Sequence, residues 1–138
     1  EAAREQRPRV MCIHHMYNEC PLREKDHPLW QVHPELAPLP EDVIIERNHA
    51  DAVFESNHIR TLRALGVVRL VITGNQTGYC VDTTCRRAHS LGYETILPED
   101  GHSTLDSDIL TAEQIIRHHN QVLGSQFATV EKASDIVF

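Results

Sequence analysis

The sequence predicts an α/β fold, a three-layer α/β/α arrangement around a mostly parallel sheet. Three observations carry that expectation. Residues 67–72 (Val-Val-Arg-Leu-Val-Ile) form a nearly continuous apolar, β-branched run, the composition of a strand buried on both faces. Strand-like and helix-like stretches alternate around it, the order of a parallel sheet with right-handed crossover helices. The chain has 138 residues, one domain's worth and long enough for a real core. A single domain over residues 1–138 is expected, with a sheet of about five strands.

In chain order, residues 1–7 are charged and helix-prone, and Pro8 must interrupt any helix there. Residues 9–14 read as the first strand. Between residues 15 and 41, Pro21, Pro28, Pro34, Pro38 and Pro40 argue against both helix and central strand. A loop this long inside a compact domain is usually functional. It is expected to dock on the core through Leu29, Trp30, Val32 and Leu36, with a short helical turn at residues 30–33. Residues 42–46 are the second strand, and 48–54 a connection. Asn57 is placed to cap a helix over 58–65, with Ile59, Leu62 and Leu65 on one face and Gly66 just past its end.

The apolar run at 67–72 follows as the third strand. Small and polar residues at 75–78 suit a tight turn. From Tyr79 the pattern becomes helical, with Val81, Thr84, Cys85 and Ala88 at spacings of three and four, ending near Leu91-Gly92. Residues 93–98 are the fourth strand and 99–110 a polar loop. Thr111 with Gln114 three residues on makes a capping-box pattern. It opens a helix whose stripe is Ile115, Ile116, His119, Val122 and Leu123 and which is expected to stop at Gly124. Residues 127–130 are the last strand, with a short terminal element at 133–138.

Composition narrows the function. Thirteen Lys and Arg against twenty Asp and Glu give a formal charge of −7, which argues against nonspecific nucleic-acid binding and against an anionic membrane surface. No run is apolar and long enough to span a bilayer, and the polar start is unlike a signal peptide. The four cysteines, Cys12, Cys20, Cys80 and Cys85, form neither a CxxC pair nor a dense framework, which points to a reduced, cytoplasmic setting. The ten histidines are scattered. His14 and His15 point to opposite faces of a strand, and His118 and His119 diverge on a helix, so no metal site is expected.

Chemistry converges on Cys80. A strand runs out at its carboxyl end, turns sharply, and a thiol appears where a helix begins. Ligands bind at the carboxyl ends of strands in open α/β sheets. The positive end of a helix dipole favours thiolate over thiol, and first-turn N–H groups can bind an oxyanion. The plain alternative is a packing cysteine, the usual fate of a buried thiol. Cys85, five positions on and over a turn away, reads as core.

The stretch Thr73-Gly74-Asn75-Gln76-Thr77-Gly78-Tyr79-Cys80-Val81 resembles the nucleophile motif Thr-Gly-x-x-Thr-x-x-Cys-Val of the isochorismatase-like cysteine hydrolases, with every fixed position present. That family includes nicotinamidases, carbamoylsarcosine-type amidohydrolases and streptothricin hydrolases. The resemblance extends to Trp30-Gln31-Val32-His33-Pro34-Glu35-Leu36, Leu91-Gly92-Tyr93 and Glu99-Asp100-Gly101-His102-Ser103, and so covers residues 10–130. It implies a Rossmann-like sheet and an Asp, Lys and Cys triad. The Cys maps to Cys80. The Lys position, four residues ahead of Asp51-Ala52-Val53-Phe54, holds Arg47. The Asp belongs to the family's first strand, expected to have no counterpart in this chain.

The reaction the resemblance implies is hydrolysis of a C–N bond in a small amide through a Cys80 thioester, with no cofactor. Arg47 would supply positive charge in place of lysine, or else pair with an acidic neighbour. The oxyanion hole would be the N–H groups of Gln76 and Cys80, with a cis Asn75–Gln76 peptide aiming the first at the substrate oxygen. Trp30, His49, Phe54 and Tyr79 are candidates for the wall of a small-molecule pocket, or else core and rim. Family analogy further implies a homo-oligomer. A second reading is a member that no longer catalyses and serves as a small-molecule-binding or oligomer-interaction module. The intact Cys80 motif favours the hydrolase, while Arg47 and the missing strand favour the module.

Overall fold

The computed structural model describes residues 10–15, 31–36, 38–47, 51–52 and 57–138. They fall into two compact units, residues 1–49 with 138, and residues 50–137. In the first, β1 (Met11–His15) pairs in parallel with β2 (Val43–Arg47), setting Met11 opposite Val43 and His15 opposite Arg47. The Val43 N–H donates to the Val10 carbonyl at 3.1 Å, extending the ladder by one rung. A 3-10 turn occupies Pro34–Leu36, a few residues after the position expected for it. Proline at the first helical position gives up no needed N–H, which is why the turn starts there.

The second unit opens with α1 (Asn57–Ala64). Leu62 is its buried anchor, and Gly66 ends it in the left-handed region at φ 66°. There the Gly66 N–H reaches the Arg63 carbonyl and the Val67 N–H the Leu62 carbonyl, both at 3.0 Å, closing the helix end. The apolar run then gives β3 (Arg69–Val71). A parallel sheet follows, with β5 (Glu94–Pro98) between β3 and β7 (Thr129–Glu131). Thr95, Ile96, Leu97 and Pro98 are all buried, as a central strand covered on both faces requires. The α/β class with parallel strands is therefore the architecture observed, and each of the five expected strands is present.

Two short strands were not anticipated. β4 (Gly74–Asn75) and β6 (His102–Ser103) pair in parallel within stretches read as turn and polar loop. Each is two residues long, too short for hydrophobic alternation to register. Next comes a five-residue π-helical turn at Thr77–Val81, then α2 (Asp82–Ser90). The helix expected from Tyr79 is therefore two structures, a π turn carrying Cys80 and an α-helix beginning two residues later. Gly92, at φ 86°, follows the helix end.

The Thr111 capping box is present in full, and it opens α3 (Ala112–Gln126). This helix runs two residues past Gly124, where it was expected to stop. A Cβ on Gly124 would lie 3.1 Å from Val130 Cγ2, so this glycine serves close packing against β7 and does not terminate the helix. Val81, Cys85, Leu97 and Leu123 form the buried core of this unit, with Ile72, Phe127, Ala128 and Val130 packed against it.

Candidate active site

The site is built where β3 and β5 run out. The Ile72 N–H continues their ladder to the Ile96 carbonyl, and the Gly74 N–H then reaches the Gly101 carbonyl at 3.1 Å. Gly74, at φ 143°, turns the chain, and the Asn75–Gln76 peptide that follows is cis. Gln76 is extended, at φ −106° and ψ 149°. Its carbonyl accepts from the N–H of Tyr79 at 3.2 Å and of Val81 at 3.3 Å, one residue either side of Cys80. The Val81 bond spans five residues and makes the turn a π turn. Such turns concentrate at functional sites because they re-aim one side chain without ending the helix.

Cys80 is a free, half-buried thiol on this turn. Two residues ahead of it Gly78 faces the imidazole of His119, whose Cε1 would lie 3.4 Å from an added Cβ. Behind it, Val81 and Cys85 enter the core. Cys85 is fully buried, and burial, aided by the negative charge of Asp82 and opposed by Arg86, pushes its thiol from 9.0 up to about 12. It is held protonated, as a core residue should be. Tyr79, the residue before Cys80, is 65% exposed.

A chain of hydrogen bonds, running from a buried end at Thr77 to an exposed end at Glu99, supports the turn. Thr77 is fully buried, and its Oγ1 lies 2.9 Å from His102 Nδ1. His102 Nε2 lies 2.8 Å from Asn120 Oδ1 on α3, and Asn120 Nδ2 donates to the Glu99 carbonyl at 3.1 Å. The direction of these bonds follows from what each atom can do. Asn120 gives its N–H to a carbonyl, so its oxygen faces His102 and can only accept. His102 Nε2 must then carry a proton. In the neutral ring Nδ1 is left as an acceptor, and the Thr77 hydroxyl is the donor. On α2, Arg86 donates two hydrogen bonds to Asp82, of 2.9 and 3.0 Å, and its guanidinium stacks 4.5 Å over the Phe127 ring. His119 Nδ1 donates to the Ile115 carbonyl at 2.9 Å, leaving Nε2 4.0 Å from Asp82 Oδ1.

Of the residues singled out from sequence, Gln76, Tyr79 and Cys80 lie together on this turn. Arg47 ends β2, and its side chain is outside the described residues. Trp30, His49 and Phe54 lie outside the described residues altogether. Thr77, His102 and Asn120 were not singled out for a role. They belong to the turn, to β6 and to α3, so no spacing rule connects them, although Gly101-His102-Ser103 lay within a family-like segment. Among the described residues no group of three or more His, Cys, Asp or Glu is placed to hold a metal ion. No helix among them is long and apolar enough to cross a membrane.

Comparison with known proteins agrees with this geometry. The sequence profile of the isochorismatase domain matches residues 1–130. The chain is 38% identical over 66 residues to the ureidoacrylate amidohydrolase of Variovorax paradoxus, a match covering 48% of this chain and 26% of that protein. The chain thus spans well under two thirds of that relative. The structure superposes on a crystal structure of an isochorismatase family protein with a TM-score of 0.85 at 36% identity, covering 94% of this chain and 76% of the other. It superposes on an isochorismatase from Pseudomonas putida KT2440 with a TM-score of 0.90 at 28% identity, covering 99% and 72%. A profile match over most of the chain, a shared fold and a cysteine on a turn at the end of a parallel strand lead to one conclusion: the chain belongs to the isochorismatase-like cysteine hydrolase family.

Proposed function

We propose that this protein is a cysteine hydrolase that cleaves a C–N bond in a small amide, with Cys80 as its nucleophile. The observation that carries the reading is Cys80 itself, a free thiol on a π turn where a parallel strand runs out. The amidohydrolase relative supports the choice of an amide-type bond. In the proposed reaction the Cys80 thiolate attacks the carbonyl carbon. The oxygen takes up negative charge against the N–H groups of Gln76 and Cys80. The tetrahedral intermediate collapses, the C–N bond breaks, and the amine leaves with a proton. Water then attacks the thioester, releasing a carboxylic acid and regenerating the thiol. The proton is moved by a carboxylate of the family type, carried on the family's first strand. Arg47 supplies positive charge, and Trp30, His49, Phe54 and Tyr79 are the proposed pocket wall. We place the protein in the cytoplasm as a homo-oligomer of single-domain subunits.

The test is hydrolysis of ureidoacrylate and a panel of small primary amides by the full-length protein, with rapid quenching and mass analysis of the Cys80 peptide. An acyl adduct on Cys80 and an inactive Cys80→Ser variant are expected. Turnover by Cys80→Ser overturns the proposal. Arginine at the lysine position favours a second reading, a binding module without catalysis. Tight binding of an amide that is never turned over, by both the natural protein and Arg47→Lys, would establish it.

A further inference from the structure

We infer that His102 is a positioning residue for Cys80 chemistry, acting through Thr77 to hold the turn that carries Gln76 and Cys80. The inference rests on the hydrolase reading for its consequence in catalysis, but not for its geometry.

Three observations point the same way. First, the main chain brings His102 to the turn. In the β4–β6 ladder Gly74 stands opposite His102 and Asn75 opposite Ser103, so the imidazole is delivered from the strand beside the motif. Second, Thr77 opens the π turn and is fully buried, with its hydroxyl committed to His102. A buried hydroxyl left without a partner is costly, so this bond selects one orientation of Thr77. The Gln76–Thr77 peptide is thereby held from its carboxyl side, with Gln76 immediately before it and Cys80 three residues after. Third, the chain of bonds has one direction. The Glu99 carbonyl orients Asn120, Asn120 fixes the proton on His102 Nε2, and Nδ1 is left to accept from Thr77. A histidine with the opposite tautomer would present N–H to Thr77 and a lone pair to an oxygen. The turn is therefore anchored on α3 and on the loop after β5, two elements that carry none of the motif.

Two halves of the imidazole can be tested apart. Asparagine at position 102 sets an amide oxygen near the place of Nδ1, keeping the acceptor for Thr77. Glutamine sets an amide nitrogen near the place of Nε2, keeping the bond to Asn120 and losing Thr77. In the full-length protein, the rate of Cys80 alkylation by iodoacetamide is measured from pH 5 to 9 by mass analysis of the Cys80 peptide, with Tm recorded for each variant. His102→Gln and Thr77→Val are expected to slow alkylation, and kcat for any amide substrate, roughly 10- to 100-fold with little change in KM, as loss of positioning does. His102→Asn should stay nearer the natural protein at equal or greater loss of Tm. Natural rates in His102→Gln and Thr77→Val, whatever their Tm, would make the bond a packing feature and overturn the inference. Nitrogen-15 spectra of the natural protein test it without any variant. A neutral Nε2–H ring with a slowly exchanging Thr77 hydroxyl is expected, and an Nδ1–H tautomer overturns it. Failure of the hydrolase reading looks different: Cys80→Ser would retain turnover, while the tautomer and the alkylation rates would be unaffected by that result.

Discussion

Cys80 and Cys85 are neighbours in sequence, yet the turn around the first and the helix around the second give their thiols different surroundings. The turn from Gly74 to Val81 closes on a π bond, with a half-buried sulfur. The helix behind it packs Cys85 against Val81, Leu97 and Leu123, where burial holds the proton on sulfur. Thiol chemistry is decided by backbone geometry and desolvation, and one turn of helix is enough to change both. The packed side also steadies the turn, since Val81 and Cys85 are the first residues after Cys80 to enter the core.

The sharpest way to break this contrast is to exchange the thiols. Cys80→Ser is expected to reduce amide hydrolysis by about a thousandfold or more, as loss of a nucleophile does, while leaving thermal unfolding nearly unchanged. Cys85→Ala should do the reverse, keeping most activity and costing about 1–2 kcal/mol in denaturant titration for the small cavity left. Equal losses of activity in the two variants would erase the distinction.

Alkaline pH separates the two regions next. The unfolded Cys85 thiol titrates near 9.0 and the folded one at about 12. Within that window the unfolded chain has lost a proton that the folded chain keeps. Stability from this group is thus complete below pH 9 and falls above it by up to about 1.4 kcal/mol per pH unit. Denaturation midpoints from pH 8 to 11 should fall in the natural protein, and less steeply in Cys85→Ala.

Smaller effects probe the supports of the turn. A methyl on Gly101 would lie 2.7 Å from Pro98 Cβ and 3.3 Å from Thr73 Cγ2, so Gly101→Ala should cost about 1–3 kcal/mol of stability and disturb the turn. Gly78→Ala meets only the His119 ring, at 3.4 Å, and should be tolerated with a Tm close to that of the natural protein. Thr111→Ala removes the cap of α3 at a distance from Cys80. It should cost about 1 kcal/mol without altering the rate of Cys80 alkylation.

Much of this molecule was legible in its residues because periodicity reports burial. The Thr111–Gln114 box and the Val81, Cys85, Ala88 stripe each name their partner surface, and the structure places them as read. The run at 67–72 gives a strand, but not the burial on both faces that its composition predicts: β3 covers only Arg69–Val71, Val68 is 75% exposed, and among the described residues β3 pairs with β5 alone. The motif around Cys80 marked the turn, but not its π geometry, since no propensity distinguishes a bond of five residues from one of four. The β4–β6 ladder and the Thr77–His102–Asn120 chain escaped for a different reason. They join residues far apart in sequence through single polar contacts, and a single polar residue in a loop looks like any other. Gly124 misled because the same residue ends helices and permits close packing.

The ladders flanking the turn have one more consequence. Val71 pairs with Ile96, twenty-five positions on, but Gly74 pairs with His102, twenty-eight positions on. Three residues, Glu99, Asp100 and Gly101 among them the visible excursion, are taken up between the two ladders on one strand only. Its shape is pinned at each point: Glu99 by the Glu131 carbonyl, Asp100 by the Ala133 N–H, and Gly101 by Pro98. Adding or removing one residue here is expected to shift His102 against Thr77 while leaving the β3–β5–β7 sheet whole. Loop length at this point is therefore expected to bear on the proposed role of His102. A library of insertions and deletions across the chain should find an intolerant spot there that substitution scanning, which preserves length, would understate.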